Sequence, residues 1–310
     1  MEKYIILPDV TCDLSKEIRD FFGIEDYVPS HITFRGAEYP TTLDWDHFSR
    51  EEFYKVLSDR GAEITTAPAS PGEFYEVFKK YTSEGYKVLF MSISSKISST
   101  VSVATEAARR IVDDIPGATV YVFDSMKMTG ALGLLVVQAF RMQREGKSFG
   151  EVVSWLENNK HRVHQMGPID DLIFVARRGR ISMGKAVMGS FAGVKPMGDC
   201  NLDGYTSVLA KAKGMKKALV MTANYVKRMA KDVENNYIII SHSDRAEYAE
   251  KLKELIEERM QPLGIFISDI YCGCGTHIGP GMVGAYFFGD MLSADLEKER
   301  AVLQNIADSL

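Results

Sequence analysis

The sequence is poor in cysteine, in basic charge and in long apolar runs, and each shortage excludes a class of protein. Four cysteines in 310 residues, Cys12, Cys200, Cys272 and Cys274, make no disulfide framework in a chain of this length. The start, Met1-Glu-Lys-Tyr-Ile-Ile-Leu, has no signal-peptide layout, so the expected compartment is a reducing cytoplasm. The longest apolar run lies within residues 131–140. That is well short of the roughly 20 residues that cross a bilayer, so it reads as a buried helix and no membrane span is expected. Lys and Arg number 37 against 42 Asp and Glu, and a net charge of −5 leaves no basic face for nucleic acid. Arg177-Arg178-Gly179-Arg180 is the one dense basic stretch. Also missing are a G-x-S-x-G elbow, a Walker loop, H-E-x-x-H and a Cys/His nucleophile signature, which leaves an enzyme without its usual machinery.

What is present is an ordinary globular composition, 45% hydrophobic and 25% charged, with enough apolar content for sizeable cores. The first half repeats one pattern. Residues 4–7 form a short apolar run that breaks into Asp9-Val-Thr-Cys-Asp and a helix start. Residues 88–91 break into six hydroxyl residues between Ser92 and Thr100, and a helical pattern begins at Val101. Residues 118–123 end in Asp124-Ser125 ahead of a helix over 130–145. Strand, polar loop and helix in alternation predict a parallel sheet with right-handed crossovers. Ligands of such sheets bind off the carboxyl ends of the strands, here a rim of Asp9, Ser94, Ser95 and Asp124. The serines admit two roles: donors beside a helix N-terminus that suit an anion, or, at Ser98 and Ser99, a simple cap for the helix. A polar helix is expected over 41–60 and another over 73–84, the latter after the breaker-rich loop 64–73.

Beyond a helix over 148–165 the pattern changes, and Gly167-Pro168 is read as the boundary between an N-terminal domain, residues 1–166, and a C-terminal domain, residues 167–310. The second half reads as a strand over 169–175, a small-residue helix over 184–192, a hairpin about Asn201-Leu-Asp-Gly204 and a long helix over 215–235. Strands are expected at 237–240, 264–271 and 285–288, with a helix over 246–260. Gly279-Pro-Gly281-Met-Val-Gly284 matches G-x-G-x-x-G, but a strand follows where a dinucleotide site needs a helix, so no nucleotide is expected. Thr276-His277 sits in that glycine-rich stretch as a donor pair, or as a structural histidine. Cys272, Cys274 and His277 lack a second ligand pair at zinc spacing, and no metal or cofactor is expected. His161 and His164, three apart on an expected polar helix, have a spacing that can ligate a metal but more often marks a solvated face, and no role is assigned to them.

Taken in order, these pieces resemble the DegV family of bacterial fatty-acid-binding proteins. Asp9-Val-Thr-Cys-Asp-Leu is similar to the family's D-S-T-A-D-L, Thr66-Ala-Pro-Ala-Ser-Pro-Gly-Glu-Phe to T-S-Q-P-S-P-G-E-F, and Ile93-Ser-Ser-Lys-Ile-Ser-Ser-Thr to I-S-S-x-L-S-G-T. Asp124-Ser with Leu132-Gly-Leu-Leu, Arg178-Gly-Arg-Ile-Ser and Thr276-His-Ile-Gly-Pro-Gly-Met-Val-Gly continue the series. The resemblance implies two α/β domains, a Rossmann-like parallel one and one with a mixed sheet, holding a long-chain fatty acid between them. It implies a carboxylate site of Thr65 or Thr66, Ser94 or Ser95, and His277, next to Thr276; apart from the resemblance, the guanidinium forks of Arg177, Arg178 and Arg180 suit an anionic group or a partner, or else a solvated surface. The resemblance also implies presentation of the acid to a separate fatty-acid kinase for phospholipid synthesis, with no reaction catalysed by this chain. Two departures stand out. The T-S-Q-P stretch aligns on Thr65 or on Thr66 according to which proline is matched, and Arg178 replaces the first glycine of G-G-R-I-S. For the tail, the helix over 184–192, with Ala186, Met188 and Phe191, is the candidate tunnel wall, because methionine adapts to irregular ligands. The alternative is a hydrolase or transferase acting on a small anionic substrate at the strand-end rim.

Overall fold

The computed structural model describes residues 2–59, 63–181 and 193–310. The chain opens with β1 (Tyr4–Pro8) and α1 (Lys16–Phe22), then runs out through β2 (His31–Phe34), β3 (Ala37–Pro40), α2 (Arg50–Leu57) and β4 (Thr65–Ala67). It returns through α3 (Pro71–Thr82), β5 (Lys87–Ser92), α4 (Thr100–Asp114), β6 (Val120–Asp124) and α5 (Thr129–Arg144). Strands β1, β5 and β6 form a parallel sheet in the order β1-β5-β6, so the carboxyl ends of all three reach one rim. The outlying strands make a small antiparallel sheet, β3-β2-β4. The helix expected over 41–60 is shorter: Ser49 caps it by accepting from the Glu52 N–H. Residues 41–49 instead form a loop that packs Trp45 and Phe48 on Phe53. α3 starts as its sequence demands, with Pro71 in its first turn and Ser70 and Glu73 closing a reciprocal capping box.

The second half comprises α6 (Phe149–Asn159), β7 (Val163–Met166), α7 (Leu172–Arg177), β8 (Val194–Cys200) and β9 (Thr206–Lys213). After these come α8 (Gly214–Met229), β10 (Tyr237–His242), α9 (Ala246–Glu257), β11 (Gly264–Asp269), α10 (Cys272–Ile278), β12 (Val283–Phe288) and α11 (Glu297–Asp308). Its sheet is mixed, in the order β11-β10-β12-β7, with β10 parallel to β11 and antiparallel to β12. Three expectations are corrected here. The helix over 148–165 stops at Asn159, and 163–166 is a fully buried strand paired with β12, so His164 is a core residue stacked on Phe287 and not part of a solvated face. The strand expected at 169–175 is mostly α7, because the Asp171 carboxylate accepts the N–H groups of Ile173 and Phe174 and starts a helix. Thr276 and His277 lie in helix α10 and not in the glycine turn, which begins after it at Gly279. The hairpin about residues 201–204 is present as β8 and β9. The expected helix over 184–192, with Ala186, Met188 and Phe191, lies outside the described residues.

Helix α5 joins the halves. It lies between the two sheets and is buried on nearly every side, which explains its unbroken apolar run. One hydrophobic cluster includes Leu89 and Phe123 of the parallel sheet, Leu132 and Leu135 of α5, and Ile239 and Tyr286 of the mixed sheet. The approach is close enough to exclude a side chain at Gly130, where a Cβ would lie 2.4 Å from the Tyr286 ring. No described helix is long and apolar enough to cross a membrane.

Candidate functional site

Where the strand-end rim of the first half faces the second half lies a cavity of about 730 Å³. The first half contributes Asp9, Thr11 and Ile93 from the strand ends, the serine loop and first turn of α4 from Ser95 to Ser102, and Met128 and Thr129 at the start of α5. The second half contributes Gln165 of β7, Arg180, Thr206 of β9, His277 and Ile278 of α10, and Tyr286 of β12. Hydroxyls, a guanidinium and an imidazole thus share one space with aliphatic and methionine side chains.

Thr66 and His277 meet across the halves of the chain, with Thr66 Oγ1 2.7 Å from His277 Nε2. Strand alternation decides which threonine is available: β4 pairs with β2 so that Thr66 turns to the cavity and Thr65 turns outward, exposed. The His277 pKa is depressed to about 3, by burial first and then by the charges of Arg180 and Arg178. The ring is therefore neutral at ordinary pH and acts as a hydrogen-bonding group, not as a cation. Its Nδ1 is buried without a hydrogen-bond partner. The neighbouring Thr276 is fully buried, and its hydroxyl donates to the Cys272 carbonyl at 2.8 Å, so it supports its own helix. Arg180 lines the cavity, and burial lowers its pKa. Arg178 is held away from it, donating to the Ile64 carbonyl at 2.7 Å and lying over the Phe174 ring.

The serine loop divides its hydroxyls. Ser94 is fully buried and absent from the cavity wall; its Oγ donates to the Gly204 carbonyl at 3.0 Å and accepts the Lys96 N–H. Ser95 is exposed to the cavity, with its backbone N–H held by Asp124 Oδ1 at 3.2 Å. The expected serine cap of α4 is also altered: the Ser99 side chain makes no capping bond, and Ser98 instead accepts the Thr100 N–H at 3.3 Å. Both serines line the cavity.

Two features escaped the sequence reading. One is the burial of the rim residue Asp9 and of Asp13: both are carboxyls on the loop after β1, and burial raises the pKa of each, most strongly at Asp13. Asp9 accepts the Thr11 and Ile93 N–H groups, and Asp13 takes the Tyr271 N–H from the second half, so both organise loops. The other feature lies behind Gln165. There Lys127 Nζ, Asp199 Oδ2 and Gln165 Oε1 are all buried without a hydrogen-bond partner. Burial pushes the Asp199 pKa up to about 7 although Lys127 pulls it down. Nothing in the sequence separates Lys127 from a surface lysine. Among the described residues no group of His, Cys, Asp and Glu is arranged to hold a metal ion.

The family model described as an uncharacterised protein of the DegV family matches residues 3–290. The chain belongs to the DegV family. A DegV domain-containing protein of Clostridium perfringens is 32% identical over 290 residues, covering 94% of this chain and 99% of the relative. Among solved structures, a DegV protein from Thermus thermophilus described by its fatty acid binding superposes with a TM-score of 0.82 at 25% identity, covering 93% of this chain and all of that one. The fatty acid kinase B3 protein of Streptococcus pneumoniae, solved loaded with linoleic acid, has the same fold, with a TM-score of 0.79 at 19% identity over 93% of this chain and 100% of that one.

Proposed function

We propose that this DegV protein is a carrier that binds a long-chain fatty acid in the cavity between its halves and presents the carboxylate to a separate fatty-acid kinase in the cytoplasm. The carrying observation is a cavity of about 730 Å³ in which Thr66, His277, Ser95 and Arg180 share the walls with Ile93, Ile97, Met128, Ile278 and Met282. That volume lies within the roughly 300–1,000 Å³ of ordinary ligand pockets, and the mixed lining suits a molecule apolar along most of its length and charged at one end. Burying about 14 methylenes at about 0.8 kcal/mol each gives a gross gain of about 11 kcal/mol, so the tail supplies most of the affinity before ordering costs are subtracted.

The carboxylate works in the opposite direction, since a charge leaving water must find donors. In this reading the His277 Nε2–H donates to the Thr66 oxygen, which frees the Thr66 hydroxyl proton for the carboxylate. Ser95 donates from the serine loop, and Arg180 supplies the balancing positive charge. A carboxylate held by fixed donors is positioned as a nucleophile toward a phosphoryl donor, while the acyl chain stays out of water. Among the described residues, the Asp124 carboxylate bonds loop N–H groups, and Asp9, which also lies beside the Ser92 hydroxyl, is taken up by the N–H groups of Thr11 and Ile93. We therefore assign the chain a binding role and leave the phosphoryl transfer to its partner.

The test is native mass spectrometry of the purified protein, followed by organic extraction and incubation with oleate. Bound or taken-up fatty acid at one per chain is expected. A protein that emerges empty and takes up none would overturn the reading.

A further inference from the structure

Ser94, which both the residue pattern and the family resemblance offered as a carboxylate ligand, has no access to the cavity. We propose that it is a positioning residue: its hydroxyl clamps the tip of the β8–β9 hairpin onto the serine loop, and the clamp holds Ser95 in the geometry that receives the ligand carboxylate. The inference rests on the fatty-acid reading above and assigns a role within that site.

Three observations carry it. The first is the pair of bonds on one oxygen. Ser94 Oγ donates to the Gly204 carbonyl at 3.0 Å and accepts the Lys96 N–H at 3.2 Å, so the same hydroxyl grips the hairpin and closes a turn around Ser95. With the Ser95 N–H on Asp124 Oδ1 and the Ser94 N–H on the Lys127 carbonyl, the backbone on either side of the Ser95 Oγ is fixed. The second is the shape of the hairpin tip. Of residues 202–205, only Gly204 is buried; Leu202, Asp203 and Tyr205 are exposed. The tip is closed on itself by the Tyr205 N–H to Asn201 Oδ1 at 2.9 Å and the Gly204 N–H to the Asn201 carbonyl at 3.0 Å. It therefore reaches the serine loop as a rigid unit with a single buried anchor. The third is steric. Gly204 has φ +82°, and a Cβ there would lie 2.4 Å from Ser94 Oγ and 3.1 Å from Met126 Sδ. Any side chain at this position lifts the hairpin off the loop.

A contact of this kind acts on the site without touching the ligand. Thr206, two residues beyond the anchor, is itself a wall residue, so the hairpin held by the clamp stands at the cavity beside the loop that carries Ser95. With the clamp loosened, the donor has to be ordered at the moment of binding, which lowers its value to the carboxylate but leaves the tail contacts intact.

The experiment compares binding of a fatty acid with that of its methyl ester, which keeps the tail and loses the anionic head. Wild type prefers the acid, and Ser95→Ala lowers the acid-to-ester preference by roughly 10- to 100-fold, the range for one charge-assisted hydrogen bond. Ser94→Ala is expected to lower the same ratio several-fold while leaving ester affinity unchanged, an outcome that a general loss of stability does not produce. Asn201→Ala, which loosens the tip without touching loop or cavity, lowers it in the same direction. The decisive variant is Ser94→Ala combined with Ser95→Ala: a positioning role predicts a ratio no lower than that of Ser95→Ala alone. Multiplicative losses in the double variant, or an unchanged ratio in Ser94→Ala, would overturn the proposal. A wild type that binds neither acid nor ester defeats the carrier reading itself, a separable result.

Discussion

Replacing His277 by glutamine changes how the stability of this DegV protein depends on pH, and the sign follows from the site. In the folded chain burial, reinforced by Arg180 and then Arg178, holds the imidazole neutral by drawing its pKa from 6.5 to about 3. As the solution is acidified the unfolded chain takes up this proton first. The stability contributed by a neutral His277 is therefore complete above about pH 6.5 and is lost progressively as pH falls toward 3. Between pH 7 and pH 5 one such group accounts for about 2 kcal/mol, since each full unit below the unfolded pKa is worth about 1.4 kcal/mol. Glutamine has nothing to titrate and retains an amide donor for Thr66. Urea unfolding of wild type and His277→Gln at the two pH values isolates the effect. Asp199, whose raised pKa acts with the opposite sign over the same window, is common to both proteins and cancels in the difference. The stability of wild type relative to the variant is expected to fall by about 2 kcal/mol from pH 7 to pH 5, with the urea m-value unchanged. Parallel pH profiles would refute the buried neutral imidazole and, with it, the tautomer assigned to the Thr66–His277 pair.

Two further outcomes are expected. Thr66→Val weakens binding of a fatty acid by roughly 10- to 100-fold, because one donor to a charged group is lost, whereas Thr65→Val leaves it unchanged; isothermal titration of both variants checks the assignment. Asp199→Asn removes a buried carboxyl that interacts with the fully buried Lys127 and destabilises the fold, whereas adding Lys127→Met restores stability to at least the wild-type level. Urea midpoints of the single and double variants measure this, and a double variant less stable than Asp199→Asn would contradict it.

The alternation of apolar runs, polar loops and helical patterns determined the parallel sheet, because a strand buried on both faces and a one-sided helix leave different residue periods. The same patterns located the rim of Asp9, the serine loop and Asp124, since loop residues after parallel strands share one end of the sheet by topology alone. Short amphiphilic pieces were not legible. Val163-His-Gln-Met166 is too brief to show a period, and only pairing with β12 makes it a strand. Residues 172–177 became a helix because Asp171 turned its carboxylate onto two N–H groups, a choice that also depends on what packs around the segment.

Composition and motif order determined the family, the α/β class and the residue types of the site. What only the tertiary structure decided is which member of each adjacent pair is available. Thr66 and not Thr65, Ser95 and not Ser94, His277 and not Thr276 line the cavity, because successive residues point in different directions and each neighbour's hydroxyl is either turned away or bonded elsewhere. A sequence shows that two hydroxyls stand side by side. Which of them finds a partner inside the protein, and which is left for a ligand, depends on chain more than a hundred residues away: Gly204 for Ser94, His277 for Thr66.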